Sequence, residues 1–236
     1  MLTPLALQFL LDVDNTLLDN DCFASDLGAF LDQAFGEAER ERYWAIYAEL
    51  RDTLGYADYL GALQRFRLDC DNQPGLLQAS TFLLDYPFTE RLYPHALAAI
   101  EHLRSFGGVA ILSDGDMVFQ PRKIQCSGVW KAVDGQVLIY LHKEKTLDAM
   151  QRSLPAQHYV MIDDKPQILA AMKRVLGERL TTVFVRQGHY ARDAQMDTIQ
   201  PSPDLTIDTI DQVCELTLPE FKVPADTPGS AVAHTD

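Results

Sequence analysis

The stretch Leu7 to Asp19, LQFLLDVDNTLLD, decides how this chain is read. A largely apolar run, Leu7 to Leu11, stops abruptly at Asp12, and Asp14 and Thr16 follow at alternate positions. A short apolar run bounded by polar residues reads as a buried strand. Two carboxylates at the exit of such a strand cost desolvation energy unless opposite charge compensates them. A hard divalent cation held by oxygen ligands supplies that charge, and Mg²⁺ fits the description. The stretch therefore predicts a strand delivering Asp12 and Asp14 to a metal at its C-terminal edge, where open parallel sheets form their ligand crevice. Taken alone, the same residues also fit a strand followed by an Asp-Asn turn. The rest of the chain decides between the two.

The 236 residues suit one large domain, or a core with a smaller insert. With 47% hydrophobic and 23% charged residues, the composition is that of a soluble globular protein. A formal net charge of -14 argues against nucleic acid or an anionic membrane surface as partner, because both need a basic patch. An anionic small substrate stays compatible, since a few local cations and a metal can serve it. Cys22, Cys70, Cys126 and Cys214 form no close pair, which predicts reduced thiols of a cytoplasmic protein and no zinc motif. The N-terminal MLTPLALQFLLDVD has no basic segment and its apolar run ends in two aspartates, unlike a signal peptide. No run approaches the length of a transmembrane helix. Oligomeric state is left open.

Residues 21–90 read as a block of helices. Phe23, Leu27, Phe30, Leu31 and Phe35 share a helical face, and Glu37 to Leu54, Asp58 to Leu68 and Leu76 to Leu84 continue the pattern. From Leu92 short apolar strands alternate with helices. Strands are predicted at Val109–Leu112, Val137–Leu141, Tyr159–Ile162, Thr182–Val185 and Leu205–Ile207. Helices are predicted at Pro94–Ser105, Phe119–Cys126, Thr146–Ser153 and Pro166–Leu176, with a short one after the last strand. This alternation implies crossovers and a parallel sheet. The expected organisation is α/β: a three-layer Rossmann-like core from residues 1–20 and 91–220, a small all-helical cap from 21–90, and a disordered tail over 221–236.

The strand ends carry the chemistry. The first delivers Asp12 and Asp14, the next Ser113, the next Lys143, and the next Asp163 and Asp164. Parallel strands would bring all of them to one edge. Carboxylates, a hydroxyl and an ammonium in one crevice are what phosphoryl transfer through an aspartate requires: a nucleophile, a proton donor and acceptor, and positive charge for the transferred group. Each piece also has a plainer reading. Ser113-Asp114-Gly115 is a common turn, Lys143 could be a solvated surface lysine, and Asp163-Asp164 could cap the following helix. Independent turns would not all fall at strand ends.

In these motifs the chain resembles the haloacid dehalogenase-like superfamily of hydrolases. Asp12-Val13-Asp14-Asn15-Thr16 matches its first motif, Ile111-Leu112-Ser113-Asp114-Gly115 its second, and Met161-Ile162-Asp163-Asp164 its fourth. The third motif is a lysine, met by Lys143 or Lys145, with Lys143 preferred because it directly follows the strand end. The resemblance spans about residues 5 to 215 and implies a cap inserted after the first motif. It implies that Asp12 is the nucleophile and that Asp14 is the general acid and base. Asp12, Asp14, Asp163 and Asp164 would form the Mg²⁺ site, Asp14 through its backbone carbonyl. Thr16, Ser113, Asp114 and Lys143 would serve the substrate, with Thr16 orienting Asp14. Dehalogenating members lack the second acid of the first motif, since an alkyl halide needs no proton on its leaving group. The presence of Asp14 points to phosphate chemistry.

The expected function is thus a Mg²⁺-dependent phosphatase for a small phosphorylated metabolite. A phosphomutase of the same superfamily, or a non-catalytic binding protein keeping the fold, are the alternatives. Arg40, Arg42, Trp44 and Arg51 on the cap could contact substrate. Gln187-Gly188-His189-Tyr190 could line the crevice, whereas His142, Asp116, Gln120 and Arg122 read as structural or solvated.

Overall fold

The computed structural model describes residues 4–221. Six strands form one parallel sheet in the order β3-β2-β1-β4-β5-β6. They are β1 (Leu5–Leu11), β2 (Gly108–Asp114), β3 (Val137–Tyr140), β4 (Ala156–Asp163), β5 (Leu180–Val185) and β6 (Leu205–Ile207). β1 lies at the centre and is covered on both faces. Phe9 and Leu11 belong to one apolar cluster and Leu10, pointing the other way, to a second. Burial on both faces is why this strand reads as a continuous apolar run rather than an alternation. The order reverses at β1, which has β2 on one side and β4 on the other, so the crevice opens beyond its C-terminal end. Leu11 pairs with both Ile111 and Ile162. That register brings Asp12, Ser113 and Asp163 to the same edge.

Four helices follow β1: α1 (Asn20–Phe35), α2 (Glu37–Leu54), α3 (Tyr59–Phe66) and α4 (Gln73–Asp85). Their starts are fixed locally. The carboxylates of Asp19 and Asp58 and the amide oxygen of Asn72 each accept a backbone N–H of the first turn. Gly55 ends α2 in the left-handed conformation. None of the residues in these helices joins the sheet. Entry and exit of the block run side by side, with the Asp19 N–H donating to the Arg91 carbonyl (2.7 Å) and the Tyr93 N–H to that of Leu17 (2.9 Å). The block is not sealed off from the core. Phe23 of α1 packs against Tyr59, Tyr86 and Phe88, and against Phe119 of α6 (Phe119–Cys126), with centroids 5.0–5.7 Å apart. One apolar cluster runs from Phe9 through Phe23 to Leu83.

The remaining helices are α5 (Ala96–Arg104), α7 (Val129–Ala132), α8 (Leu147–Ser153), α9 (Pro166–Leu176) and α10 (Gly188–Asp193). α7 and α10 are too short for hydrophobic periodicity to reveal them. β2, β4 and β5 extend beyond the apolar runs that announce them, because pairing continues through polar ends such as Gln8 opposite Gly108. The short helix expected after β6 is a 3-10 helix, Ile210–Glu215. The expected tail from 221 needs one correction. Phe221 is fully buried and meets Phe9 edge-on at 5.3 Å, because the chain folds back over β1. Residues 222–236 lie outside the described residues. Among the described residues no helix is long and apolar enough to cross a membrane, and all four cysteines are free.

Candidate active site

Asp12 leaves β1 fully desolvated, only 3% exposed. Its Oδ1 accepts from Lys143 Nζ at 2.5 Å. Lys143 is itself buried and lies 2.7 Å from Asp163 Oδ2 in an ion pair, off the hydrogen-bond direction. Its ammonium also donates to the Leu112 carbonyl at 3.3 Å. Burial disfavours charge on this lysine, but Asp12, Asp163 and Asp114 outweigh that and raise its pKa. Lys145, the other lysine the third motif allows, is exposed.

Asp12, Asp163 and Asp164 each present a carboxylate oxygen within 4.8 Å of the others, all three buried. Among the described residues, Asp12 Oδ2 and both oxygens of Asp164 have no hydrogen-bond partner. Asp163 Oδ1 accepts the Lys165 N–H at 2.8 Å, and no side chain caps the start of α9. The helix-capping reading of Asp163-Asp164 thus leaves Asp164 unexplained. Buried carboxylate oxygens without partners are costly, and an all-oxygen cluster of this size fits a hard divalent cation. The residues present fit Mg²⁺.

Burial pushes the Asp164 carboxyl up to about 9, with Asp163 and Asp12 adding to it. Burial likewise raises Asp12 to about 6, against the pull of Lys143. A carboxyl whose pKa is higher folded than unfolded binds extra protons in the native state. Stability from that source is present at low pH and is lost as pH rises through the interval between the two values. For Asp164 that interval runs from 3.8 to about 9. Metal-free protein should therefore melt at falling temperature between pH 6 and 9, by at most roughly 3–5 °C per pH unit for a chain of this size. Mg²⁺ should flatten the decline and release protons as it binds near neutral pH. Calorimetry in buffers of different ionisation enthalpy measures that release. A metal-free melting curve indifferent to pH and to Mg²⁺ would remove the cluster from consideration as a cation site.

The other motif residues are drawn together in specific ways. Thr16, expected to orient Asp14, has a hydroxyl bond to another acid. Its Oγ1 accepts the Asp164 N–H at 3.1 Å and so ties the first motif to the fourth. Ser113 is buried, and its Oγ accepts from Gln120 Nε2 at 3.0 Å. Asp114 Oδ1 accepts the Lys143 N–H at 2.7 Å, fixing the turn that aims the lysine, and burial raises its pKa. Gln187 donates to the Thr16 carbonyl at 3.0 Å and steadies the first-motif turn. Asn15 takes a positive φ of 59° there. A Cβ on Gly188 would stand 2.4 Å from the Asn15 Cβ, so only glycine admits this approach.

Asp14 holds the feature that the sequence conceals. Its Oδ1 accepts from Lys123 Nζ at 2.6 Å, and its Oδ2 from Gln120 at 3.3 Å. Lys123 is 1% exposed and also donates to Asn20 Oδ1 at 3.1 Å. Its ammonium lies 5.2–6.0 Å from the ring centroids of Phe23, Tyr59, Phe88 and Phe119. One signal was present in the sequence. In α6, Gln120 and Lys123 fall on the buried face with Phe119 and Ile124, where a lysine needs a partner. Arg122, by contrast, bonds the Leu84 carbonyl and Asp85. Asp116 accepts the Val118 and Phe119 N–H groups.

A central strand followed by Asp12 and Asp14, with a serine, a buried lysine and an acid pair at the neighbouring strand ends, defines a Rossmann-like α/β protein with an aspartate-centred crevice. The chain belongs to the haloacid dehalogenase-like hydrolases. It is 54% identical to one from Burkholderia xenovorans LB400, described by that family only, over 90% of this chain and 99% of that one, with a TM-score of 0.84. Two more distant likenesses show the fold alone. L-2-haloacid dehalogenase from Xanthobacter autotrophicus matches at TM-score 0.56 and 17% identity, over 89% of this chain and 97% of that one. The HAD-hydrolase YfnB from Bacillus subtilis, bound to magnesium, matches at 0.58 and 15%, over 88% and 96%. No protein-family model and no curated protein matches the chain.

Proposed function

We propose that this chain is a Mg²⁺-dependent phosphatase that hydrolyses a small phosphate monoester through an aspartyl-phosphate on Asp12. The observation that carries the reading is Asp164, whose two buried oxygens have no hydrogen-bond partner among the described residues and lie beside Asp12 and Asp163. A halide leaves an alkyl carbon without a proton and without charge neutralisation on a phosphoryl group. Dehalogenation thus gives no use to this cluster or to Asp14. In the proposed cycle Asp12 attacks phosphorus and the bond to the leaving oxygen breaks, with Asp14 delivering a proton to that oxygen. Asp14 then takes a proton from water as the water attacks phosphorus and the bond to Asp12 breaks. Lys143 and Ser113 stand at the edge where the transferred oxygens would lie. A divalent cation held by Asp12, Asp163 and Asp164, with the Asp14 carbonyl, would supply further positive charge to that group.

The test pairs two assays. Phosphate release from p-nitrophenyl phosphate should require Mg²⁺, fall to background with a chelator and return on re-addition. Halide release from 2-chloropropionate should be absent. Chelator-insensitive halide release, with no phosphate release, would reverse the assignment.

A further inference from the structure

Between the helical block and the sheet edge lies a cavity of about 200 Å³, with Asp14 and Asp114 on its floor. Among the residues of its walls are four aromatics, Trp44 and Tyr47 of α2, Tyr59 of α3 and Tyr190 of α10. Trp44, Tyr47 and Arg51 are spaced to share one face of α2, and all three line the cavity. The other two arginines of this helix are engaged elsewhere. Arg40 pairs with Asp32 and Glu37, and Arg42 with Glu39 and the Phe66 carbonyl. Arg51 is held only loosely, 3.8 Å from Asp52.

Of the acids lining the cavity, Asp114 accepts the Lys143 N–H, and the other two are paired with cations. Asp14 faces Lys123 at 2.6 Å, and Asp21 faces His189 at 2.5 Å and Arg192 at 3.1 Å. Two further cations line the cavity: Lys165, which stands over the Tyr190 ring at 4.7 Å and is held by the field of Asp12, Asp164 and Asp163, and Arg51, whose charge is free for a guest. The volume sets the size of the guest. Benzene occupies a cavity of about 150 Å³, and pockets for drug-sized ligands run from roughly 300 Å³ upward. A single ring with a small substituent fits this cavity, and a nucleoside does not. Aromatic walls favour a flat guest, by stacking or edge contacts, and a guanidinium favours a carboxylate.

We propose that this cavity is the leaving-group subsite and takes a single planar ring bearing a carboxylate, the ring against Trp44 and Tyr47 and the carboxylate on Arg51. The proposal rests on the phosphatase reading for what happens at phosphorus. It goes beyond that reading in naming the substrate class.

The experiment compares kcat/KM for 4-carboxyphenyl phosphate, phenyl phosphate and adenosine 5′-monophosphate, with Mg²⁺, in wild type, Arg51→Gln and Arg40→Gln. A charge-assisted contact predicts that wild type prefers the carboxylated ester over phenyl phosphate by about ten-fold. That ratio should collapse to near one in Arg51→Gln and persist in Arg40→Gln, with the nucleotide the poorest substrate. A second readout is quenching of Trp44 fluorescence by 4-hydroxybenzoate in a Trp130→Phe background, with and without Arg51→Gln. Turnover with no Arg51-dependent preference, or a preference for the nucleotide, overturns the subsite and leaves the phosphatase standing. Arg51-dependent quenching without turnover of any ester overturns the phosphatase and supports the subsite. Neither turnover nor quenching overturns both.

Discussion

Asp12→Asn should abolish turnover of every phosphate ester, by at least about 10⁴-fold, as removal of a covalent nucleophile does. It should do so in a folded protein. Asn is nearly isosteric with Asp, and Lys143 keeps its pairing with Asp163 at 2.7 Å. The substitution also removes one member of a crowded buried cluster. Burial and Asp163 already press the Asp12 pKa up to about 6, so loss of that charge relieves repulsion. The melting temperature of metal-free Asp12→Asn should equal or exceed that of wild type at pH 8, the pH at which repulsion in the cluster is larger. The deciding measurement is mass spectrometry of wild type quenched in acid during turnover. A phosphoryl adduct belongs on the peptide holding Asp12 and should be missing in Asp12→Asn. An adduct on Ser113 or on a histidine, or Asp12→Asn retaining wild-type turnover, would end the aspartyl-phosphate mechanism.

The fold was legible wherever a residue's neighbours in sequence decide its structure. β1 announces itself because burial on both faces leaves an unbroken apolar run, and α2 and α9 because glycine closes each. Lys143 could be preferred over Lys145 on position alone, since it follows a strand end, and it is the one found at Asp12. What sequence reading could not reach depends on contacts between distant segments. Lys123 lies far from Asp14 along the chain, and nothing local distinguishes it from the lysines of any amphipathic helix except its place on a buried face. Thr16 was assigned to Asp14 by motif, but its hydroxyl meets the Asp164 amide because β1 and β4 are neighbours. Trp44 and Arg51 could not be separated from Arg40 and Arg42 until the orientation of α2 was known. Phe221 fell to the tail because a lone aromatic in a polar stretch carries no periodicity.

Asp14→Asn should lower kcat/KM for an alkyl phosphate by roughly 10²–10⁴-fold, the usual contribution of a positioned proton donor. With nitrophenyl phosphate the loss in kcat/KM should be far smaller, because nitrophenolate departs without a proton, whereas hydrolysis of the aspartyl-phosphate, which uses Asp14 as base, should slow alike for both esters. The surroundings of Asp14 sharpen the test. Gln120 and Lys123 grip both of its oxygens, at 3.3 Å and 2.6 Å, so the carboxyl is aimed before substrate arrives. Lys123→Met should release it and reproduce part of the alkyl-phosphate loss. If the lysine acts only through Asp14, the double variant should be little worse than Asp14→Asn alone, a coupling that a double-mutant cycle reads directly. Stability provides the independent axis. Asp14→Asn leaves the buried ammonium with neutral partners and should cost stability, as breaking a buried pair does. Lys123→Met in that background removes the stranded charge and should restore much of it, since methionine suits the ring of aromatic side chains. Melting curves for the four proteins therefore separate misfolding from lost chemistry. Equal losses in kcat/KM for alkyl and nitrophenyl esters, in variants shown to be folded, would take Asp14 out of protonating the leaving group and leave Lys123 as a structural ion pair.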